Sequence, residues 1–246
     1  MKYDEHPLGR PLLIILCYNN GEDINKTLKK IPLDRYYDII AVDDGSVDNT
    51  AVNIKKSNFP ALFNEQNVGI GFNIKRGIEY AKNNNYQVVA VIPGNNKNDP
   101  NQVDRLFKPI YEEGFDYIQG SRRLMGGSSP DLPLFRRIMV PSHAFFFKLI
   151  TGYPVTDALE GFRAYRLELF FKIKDINVWQ DWLNGYEFET YLHYKVLKLG
   201  LKFKEVPVTK SYSHYKVGQK YSHIRPFVDW WNIMKPLLFI FFRIKK

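Results

Sequence analysis

Two adjacent carboxylates, Asp43 and Asp44, close an apolar run and lead into Gly45-Ser46-Val47-Asp48-Asn49-Thr50. Open α/β sheets bind ligands in the crevice outside the carboxyl ends of their strands. Carboxylates placed there accept hydrogen bonds from donors such as a nucleotide's base or ribose. Gly45 permits a bend that a side chain would resist, and Ser46 or Asp48 is expected to cap a helix that follows. A plain capped strand-to-helix turn has the same composition, so the turn alone leaves both readings open.

Cations form a second group. Arg122, Arg123, Arg136 and Arg137 precede Ser142, and guanidinium forks match phosphate oxygens; a solvated basic face accounts equally well for any one of them. Glu187 and Glu189 are two residues apart, so on a helix they point in different directions and one at most faces a cleft. His143, His193, His214 and His223 show no ligand spacing and read as surface or packing residues. The single cysteine, Cys17, lies within an apolar run; no disulfide framework is open to the chain, and a reducing compartment fits.

These residues need a scaffold. A chain of 246 residues, 45% hydrophobic and 25% charged, is long enough for one sizeable core. Strand-like runs are expected over 12–18, 38–42, 87–92 and 117–120, separated by helical spacing over 22–30, 48–56, 71–82 and 101–112. That alternation predicts an α/β fold with a mostly parallel sheet covered by helices. Beyond Arg122 come a Gly/Ser/Pro loop over 126–133, a Phe-rich helix, the segment 156–166, a helix over 186–199 and a strand over 202–209. No repeat or low-complexity stretch interrupts the chain.

The net charge of +9 and pI near 9.4 call for an anionic partner. Toward the C-terminus Lys216, Lys220, Arg225, Lys235, Arg243, Lys245 and Lys246 face one acid, Asp229, and alternate with Trp230, Trp231 and an apolar run over 236–242. The run is shorter than the roughly 20 residues of a spanning helix. Trp and Lys beside an apolar face fit an amphipathic helix lying on an anionic membrane surface; a helix docked on the domain or on a second subunit has the same pattern. The charge does not point to nucleic acid, because no aromatic-basic sheet motif accompanies it. The N-terminus lacks the apolar run of a secretory signal. The expected location is cytoplasmic, peripheral on the inner face of the membrane, with a homo-oligomer open.

Taken in order, the motifs resemble those of the family 2 glycosyltransferases, particularly the polyprenyl-phosphate sugar synthases typified by dolichol-phosphate mannose synthase. Leu16-Cys17-Tyr18-Asn19-Asn20 resembles that family's opening Pro-x-Tyr-Asn-Glu, and Asp43-Asp44-Gly45-Ser46-x-Asp48-x-Thr50 matches its second motif in full. Asn67-x-Gly69-x-Gly71 resembles its glycine-rich helix start; Ile74 stands where a dinucleotide fingerprint needs a third glycine. Gly120-Ser121-Arg122, Asp157 with Gly161-Phe162-Arg163, Gly185 to Glu189, and Glu205-Val206-Pro207-Val208 complete the series.

The resemblance implies a GT-A fold, Rossmann-like, over residues 1–225, with a membrane-interface or docking helix over 226–246. It implies inverting transfer of a sugar from a nucleoside diphosphate to a polyprenyl-phosphate or glycan acceptor. Tyr18, Asn20, Asp43, Asp44, Gly69, Asn95 and Arg122 would then line the donor. Arg136, Arg137, Arg163, Lys220 and Arg225 would meet acceptor or phosphate, and Glu189, Asp157 and Lys97 would be catalytic. A carboxylate at 189 would take the proton of a hydroxyl acceptor; a phosphate acceptor needs no base.

One motif departs from the family. Its Asp-x-Asp pair, which usually holds a divalent cation, is replaced by Pro93-Gly94-Asn95-Asn96-Lys97-Asn98-Asp99. Three readings stay open: Asn95 and Asp99 form a weaker Mg or Mn site, Lys97 supplies the positive charge itself, or the chain is inactive and serves as a binding or scaffold protein of polysaccharide assembly.

Overall fold

A computed structural model describes residues 5–212, 228–242 and 244. Seven strands among these residues form one sheet: β1 (Leu12–Cys17), β2 (Asp38–Asp43), β3 (Ala61–Phe63), β4 (Val88–Pro93), β5 (Tyr117–Ser121), β6 (Arg163–Arg166) and β7 (Phe203–Pro207). Their spatial order is β3-β2-β1-β4-β6-β5-β7. All pairings are parallel except those of β6, which runs antiparallel to both β4 and β5.

Among the described residues eight α-helices surround the sheet: α1 (Glu22–Lys29), α2 (Thr50–Lys56), α3 (Ile70–Asn83), α4 (Asp104–Glu113), α5 (Leu134–Thr151), α6 (Glu168–Phe171), α7 (Glu187–Lys198) and α8 (Val228–Phe241). Strand side chains alternate between faces, and β1 shows the result. Leu13, Ile15 and Cys17 join Ile24 of α1, Ile54 of α2 and Phe107 of α4 in one core. Leu12, Ile14 and Leu16 join Ile74 and Ile78 of α3 and Phe188 and Tyr191 of α7 in the other. Both faces are covered, which is why β1 and β4 are apolar without a polar alternation. Each such side chain contributes about 1.5–3 kcal/mol of burial.

The expected strands and helices are present; the short helix α6 is an addition, and three further differences stand out. Helix α2 begins at Thr50, with Asn49 as its N-cap residue, because Ser46 and Asp48 are otherwise engaged. The Ser46 hydroxyl donates to Asp43 Oδ1 at 2.5 Å, and Asp48 Oδ1 accepts the Thr50 N–H at 2.9 Å. Strand β3 is only three residues long, too short for a periodic signal. Strand β6 lies within the segment 156–166, and its antiparallel insertion makes the sheet mixed.

Helix α8 packs against α5 and α7. Its Leu237 joins Phe147 and Ala158 in a third small core, and Lys235 pairs with the buried Glu187 at 2.5 Å. The 225/226 boundary lies outside the described residues.

Candidate active site

The first two loops at the carboxyl end of the sheet are locked together. After β1, Asn19 takes a left-handed conformation (φ 47°). Its N–H donates to Ser46 Oγ at 2.9 Å while its side-chain carbonyl accepts the Val47 N–H at 2.9 Å. The N–H groups of Asn20 and Gly21 both donate to Thr50 Oγ1, at 2.7 and 2.8 Å. Asn20 Oδ1 accepts the N–H of the half-buried Tyr18 at 3.2 Å. Thr50, the last residue of the Asp-Asp-Gly-Ser motif, thus fastens the Tyr18–Gly21 loop from below.

Asp43 and Asp44 are both buried and do different work. Asp43 accepts from the Ser46 N–H and hydroxyl. Burial pushes its carboxyl up, against the lowering effect of those two bonds. Asp44 is fully subscribed: Oδ1 accepts from Asn64 Nδ2 and the Val68 N–H, both at 2.9 Å, and Oδ2 from Asn67 Nδ2 at 2.7 Å and the Gly69 N–H at 3.1 Å. Four donors match the four lone-pair positions of a carboxylate. Asp44 therefore clasps the Asn67–Gly69 loop, while Asp43 keeps acceptor capacity for a further donor.

The glycines of that loop answer to packing. Gly69 has φ 106°, and a Cβ on it would strike the Asn184 carbonyl oxygen; a Cβ on Gly71 would strike the Leu183 carbonyl oxygen. Helix α3 thereby starts flush against the backbone that leads into α7, and the Phe72 N–H donates to the Asn184 carbonyl at 3.0 Å.

The divergent loop after β4 is held on two sides. Thr27 of α1 donates to the Gly94 carbonyl at 3.2 Å and accepts the Asn96 N–H at 3.0 Å. On the other side the Ser211 N–H donates to the Lys97 carbonyl at 2.8 Å, and Asn98 bridges Lys210. Lys97 is only 7% exposed. Its ammonium stands 5.4 Å from the Tyr212 ring centre, with the Arg136 guanidinium 6.0 Å from the same ring. Burial, then the charges of Lys210 and Arg136, push the Lys97 ammonium down to about 7. Lys97, Lys210, Arg136 and Tyr212 thus make a cationic corner. Arg137 points elsewhere, donating from Nε to the Leu132 carbonyl at 2.9 Å.

Beneath the corner lies a buried ionic network. Arg122 grips Asp157 with Nε to Oδ2 at 2.6 Å and Nη2 to Oδ1 at 2.8 Å, and Glu160 Oε2 lies 3.2 Å from the same Nε. Glu160 Oε1 accepts from Lys210 Nζ and Asn98 Nδ2, both at 3.0 Å. Burial alone would raise the Asp157 carboxyl, but the Arg122 guanidinium outweighs it and holds the group below its ordinary range. Glu205 of β7 accepts the N–H groups of Thr156 and Asp157, which gives the Glu-Val-Pro motif its structural purpose.

Arg163 is fully buried and donates to the Glu160, Ala158 and Glu189 carbonyls and to the Tyr117 hydroxyl. Its Nε also lies 3.4 Å from Glu189 Oε1. Glu189 retains 14% side-chain exposure and stands beside Gly161, next to Pro93 at the end of β4. Burial pushes its carboxyl up, with Arg163 opposing. A partly solvated carboxylate of raised pKa beside a strand end suits proton acceptance.

Of the residues singled out by sequence, the structure brings Lys97 and Arg136 to the Tyr212 ring, places Glu189 beside Gly161 at the end of β4, and sets Asp157, Arg122 and Arg163 into the supporting layer. Lys220 and Arg225 lie outside the described residues. Lys210 and Glu160 were not anticipated. A lysine just past the last strand and an acid three residues after Asp157 were the only signals.

The two residues expected to hold a divalent cation are both engaged in local hydrogen bonds. Asp99 caps the 3-10 turn Pro100–Val103, accepting the Asn101 N–H at 3.0 Å, and Asn95 Oδ1 accepts the Lys97 N–H at 3.3 Å. Among the described residues no three His, Cys, Asp or Glu side chains gather as a metal set; a cation such as Mg²⁺, which keeps waters and takes substrate phosphates, needs only one or two carboxylates from the protein.

The mixed seven-stranded sheet, with acidic and cationic loops at its carboxyl edge, has the GT-A form. The family model described as glycosyl transferase family 2 matches residues 12–173, and the chain belongs to that family. An uncharacterized protein of Methanocaldococcus jannaschii is 30% identical over 208 residues, 84% of each chain. The undecaprenyl-phosphate mannosyltransferase of Micrococcus luteus is 27% identical over 206 residues, covering 81% of this chain and 83% of that protein. The UDP-N-acetylglucosamine–dolichyl-phosphate N-acetylglucosaminyltransferase of Methanococcus voltae is 25% identical over 226 residues, 84% and 88% of the two chains. Among solved structures, glucosyl-3-phosphoglycerate synthase from Mycobacterium tuberculosis, in complex with Mn2+, UDP and glucosyl-3-phosphoglycerate, superposes with a TM-score of 0.67 at 18% identity, over 96% of this chain and 81% of that one. That likeness supports the fold.

Proposed function

We propose that this glycosyltransferase moves a sugar from a nucleoside diphosphate to a polyprenyl phosphate at the inner face of the membrane, with inversion at the anomeric carbon. The observation that carries the reading is the cationic corner of Lys97, Lys210 and Arg136, with Glu189 within electrostatic reach of Lys210, in a chain whose named relatives act on undecaprenyl and dolichyl phosphates. An acceptor oxygen attacks the anomeric carbon from the face opposite the diphosphate; one C–O bond forms as the other breaks, and the electron pair leaves with the diphosphate. Fixed positive charge at that leaving group lowers the barrier, and Lys97 is the residue assigned to it. A phosphate acceptor is already anionic, so no proton moves. With a glycan hydroxyl, Glu189 would take the proton. Asp43 and Tyr18 are assigned to the base, Asn20 and Asn95 to the donor rim, and Arg136 to acceptor phosphate.

The test is transfer from a panel of labelled nucleotide sugars to polyprenyl phosphate, with Mg²⁺, Mn²⁺ or chelator. A labelled, chloroform-soluble product is expected; none with any donor would refute the activity. A binding or scaffold role is the second reading, favoured by the replaced Asp-x-Asp pair. Nucleotide binding without transfer would establish it.

A further inference from the structure

Two lysines of the cationic corner, Lys97 and Lys210, are only 7% and 8% exposed. Their charges act on each other and both have lost most of their hydration, so the corner needs a counter-charge and a rigid frame. Glu160 supplies both. Its carboxylate is fully buried, with Oε1 accepting from Lys210 Nζ and Asn98 Nδ2, both at 3.0 Å, and Oε2 lying 3.2 Å from Arg122 Nε. Its main chain is fixed as well: the Glu160 carbonyl accepts from Gln119 Nε2 and Arg163 Nε, both at 2.8 Å. The two arms that leave Oε1 end on either side of Lys97. Asn98 is the next residue of the loop after β4, and Lys210 precedes Ser211, whose N–H donates to the Lys97 carbonyl at 2.8 Å. Asn98 and Lys210 also pair through their main chains. The backbone of Lys97 is thus held between two segments that share one anchor.

We infer that Glu160 is a positioning residue for sugar transfer: through Asn98 and Lys210 it fixes the loop that carries Lys97, and with it the place of the ammonium at the departing diphosphate. The inference rests on the proposed reaction and on the role assigned there to Lys97. Glu160 is out of solvent, so it acts through these partners. Glutamine has nearly the same shape and cannot replace it. With its oxygen on Lys210 and Asn98, its amide nitrogen would face Arg122 Nε, donor against donor. A reacting group displaced by about 1 Å loses up to about 10² in rate.

The test is a kinetic double-mutant cycle on the full chain: kcat of wild type, Glu160→Gln, Lys97→Met and the double variant, with polyprenyl phosphate as acceptor and below the Tm of every variant. Expected is a loss of about tenfold or more in Glu160→Gln. The same change made in Lys97→Met should cost less than about twofold, because the route through Lys97 is already cut. A purely structural role costs the same factor in both backgrounds, and that result overturns the inference. So does a Glu160→Gln enzyme with the wild-type kcat. Should Glu160→Gln not fold, Asn98→Ala, which releases the loop's arm and keeps the Lys210–Glu160 pair, takes its place in the cycle. A loss seen only where Lys97 is present supports the inference, and equal losses overturn it. A wild type that transfers no sugar refutes the proposed function and takes the inference with it; a wild type that transfers, with equal losses in both backgrounds, leaves that function standing without the role for Glu160.

Discussion

Arg122 and Asp157 meet as a fork on a carboxylate, at 2.6 and 2.8 Å, with both side chains out of solvent. Removing one member of such a pair strands the other charge in the interior, at about 3–5 kcal/mol. Asp157→Ala should therefore lower unfolding free energy by about that amount in urea titration. A variant with the wild-type midpoint and slope but no transfer would instead make Asp157 a catalytic residue.

Lys97→Met tests the charge assigned to the leaving group. Loss of one preorganised group of this kind costs about 10²–10³ in rate, and transfer by the variant should fall by about 10²-fold. Chelator should slow the wild type less than this substitution does. The reverse ranking, with EDTA abolishing transfer and Lys97→Met retaining it, would show that a metal carries the charge.

The same lysine sets two pH dependences of opposite sign. With its folded pKa lowered from 10.5 to about 7, the unfolded chain binds more protons between those values. Stability should rise with pH across that window, and the penalty is complete below about 7. Affinity for nucleoside diphosphate should fall as pH rises through about 7, as the ammonium loses its charge. Calorimetry of wild type and Lys97→Met across this range checks both; identical profiles would sink the assignment.

Gly71→Ala should destabilise by about 1–3 kcal/mol, the usual cost of overpacking, because its Cβ meets the Leu183 carbonyl and the Gly185 carbonyl at 2.7 Å. Thermal melts would read this as a lower Tm. An unchanged Tm would mean that the backbone into α7 yields.

The parts legible in the sequence were those with local signals. Apolar runs located β1, β2, β4 and β5, and the Asp-Asp-Gly-Ser turn fell at a strand end as expected. Lys97 stood out because its loop breaks a short motif. Asp44 was harder to read: its donors, Asn64, Asn67, Val68 and Gly69, belong to the next loop, and nothing local says that its lone pairs are filled. Strand β6 is four residues with arginine at both ends, a pattern unlike a buried strand until Arg163 finds its carbonyl partners.

Arg163 draws the boundary of what can be redesigned in this enzyme. Its guanidinium holds β5 through Tyr117, the loop before β6 through Ala158 and Glu160, and the first turn of α7 through Glu189. No shorter or singly branched cation offers donors to that many segments at once. Selection for altered acceptors should leave position 163 invariant and accumulate changes at the more exposed positions around Glu189.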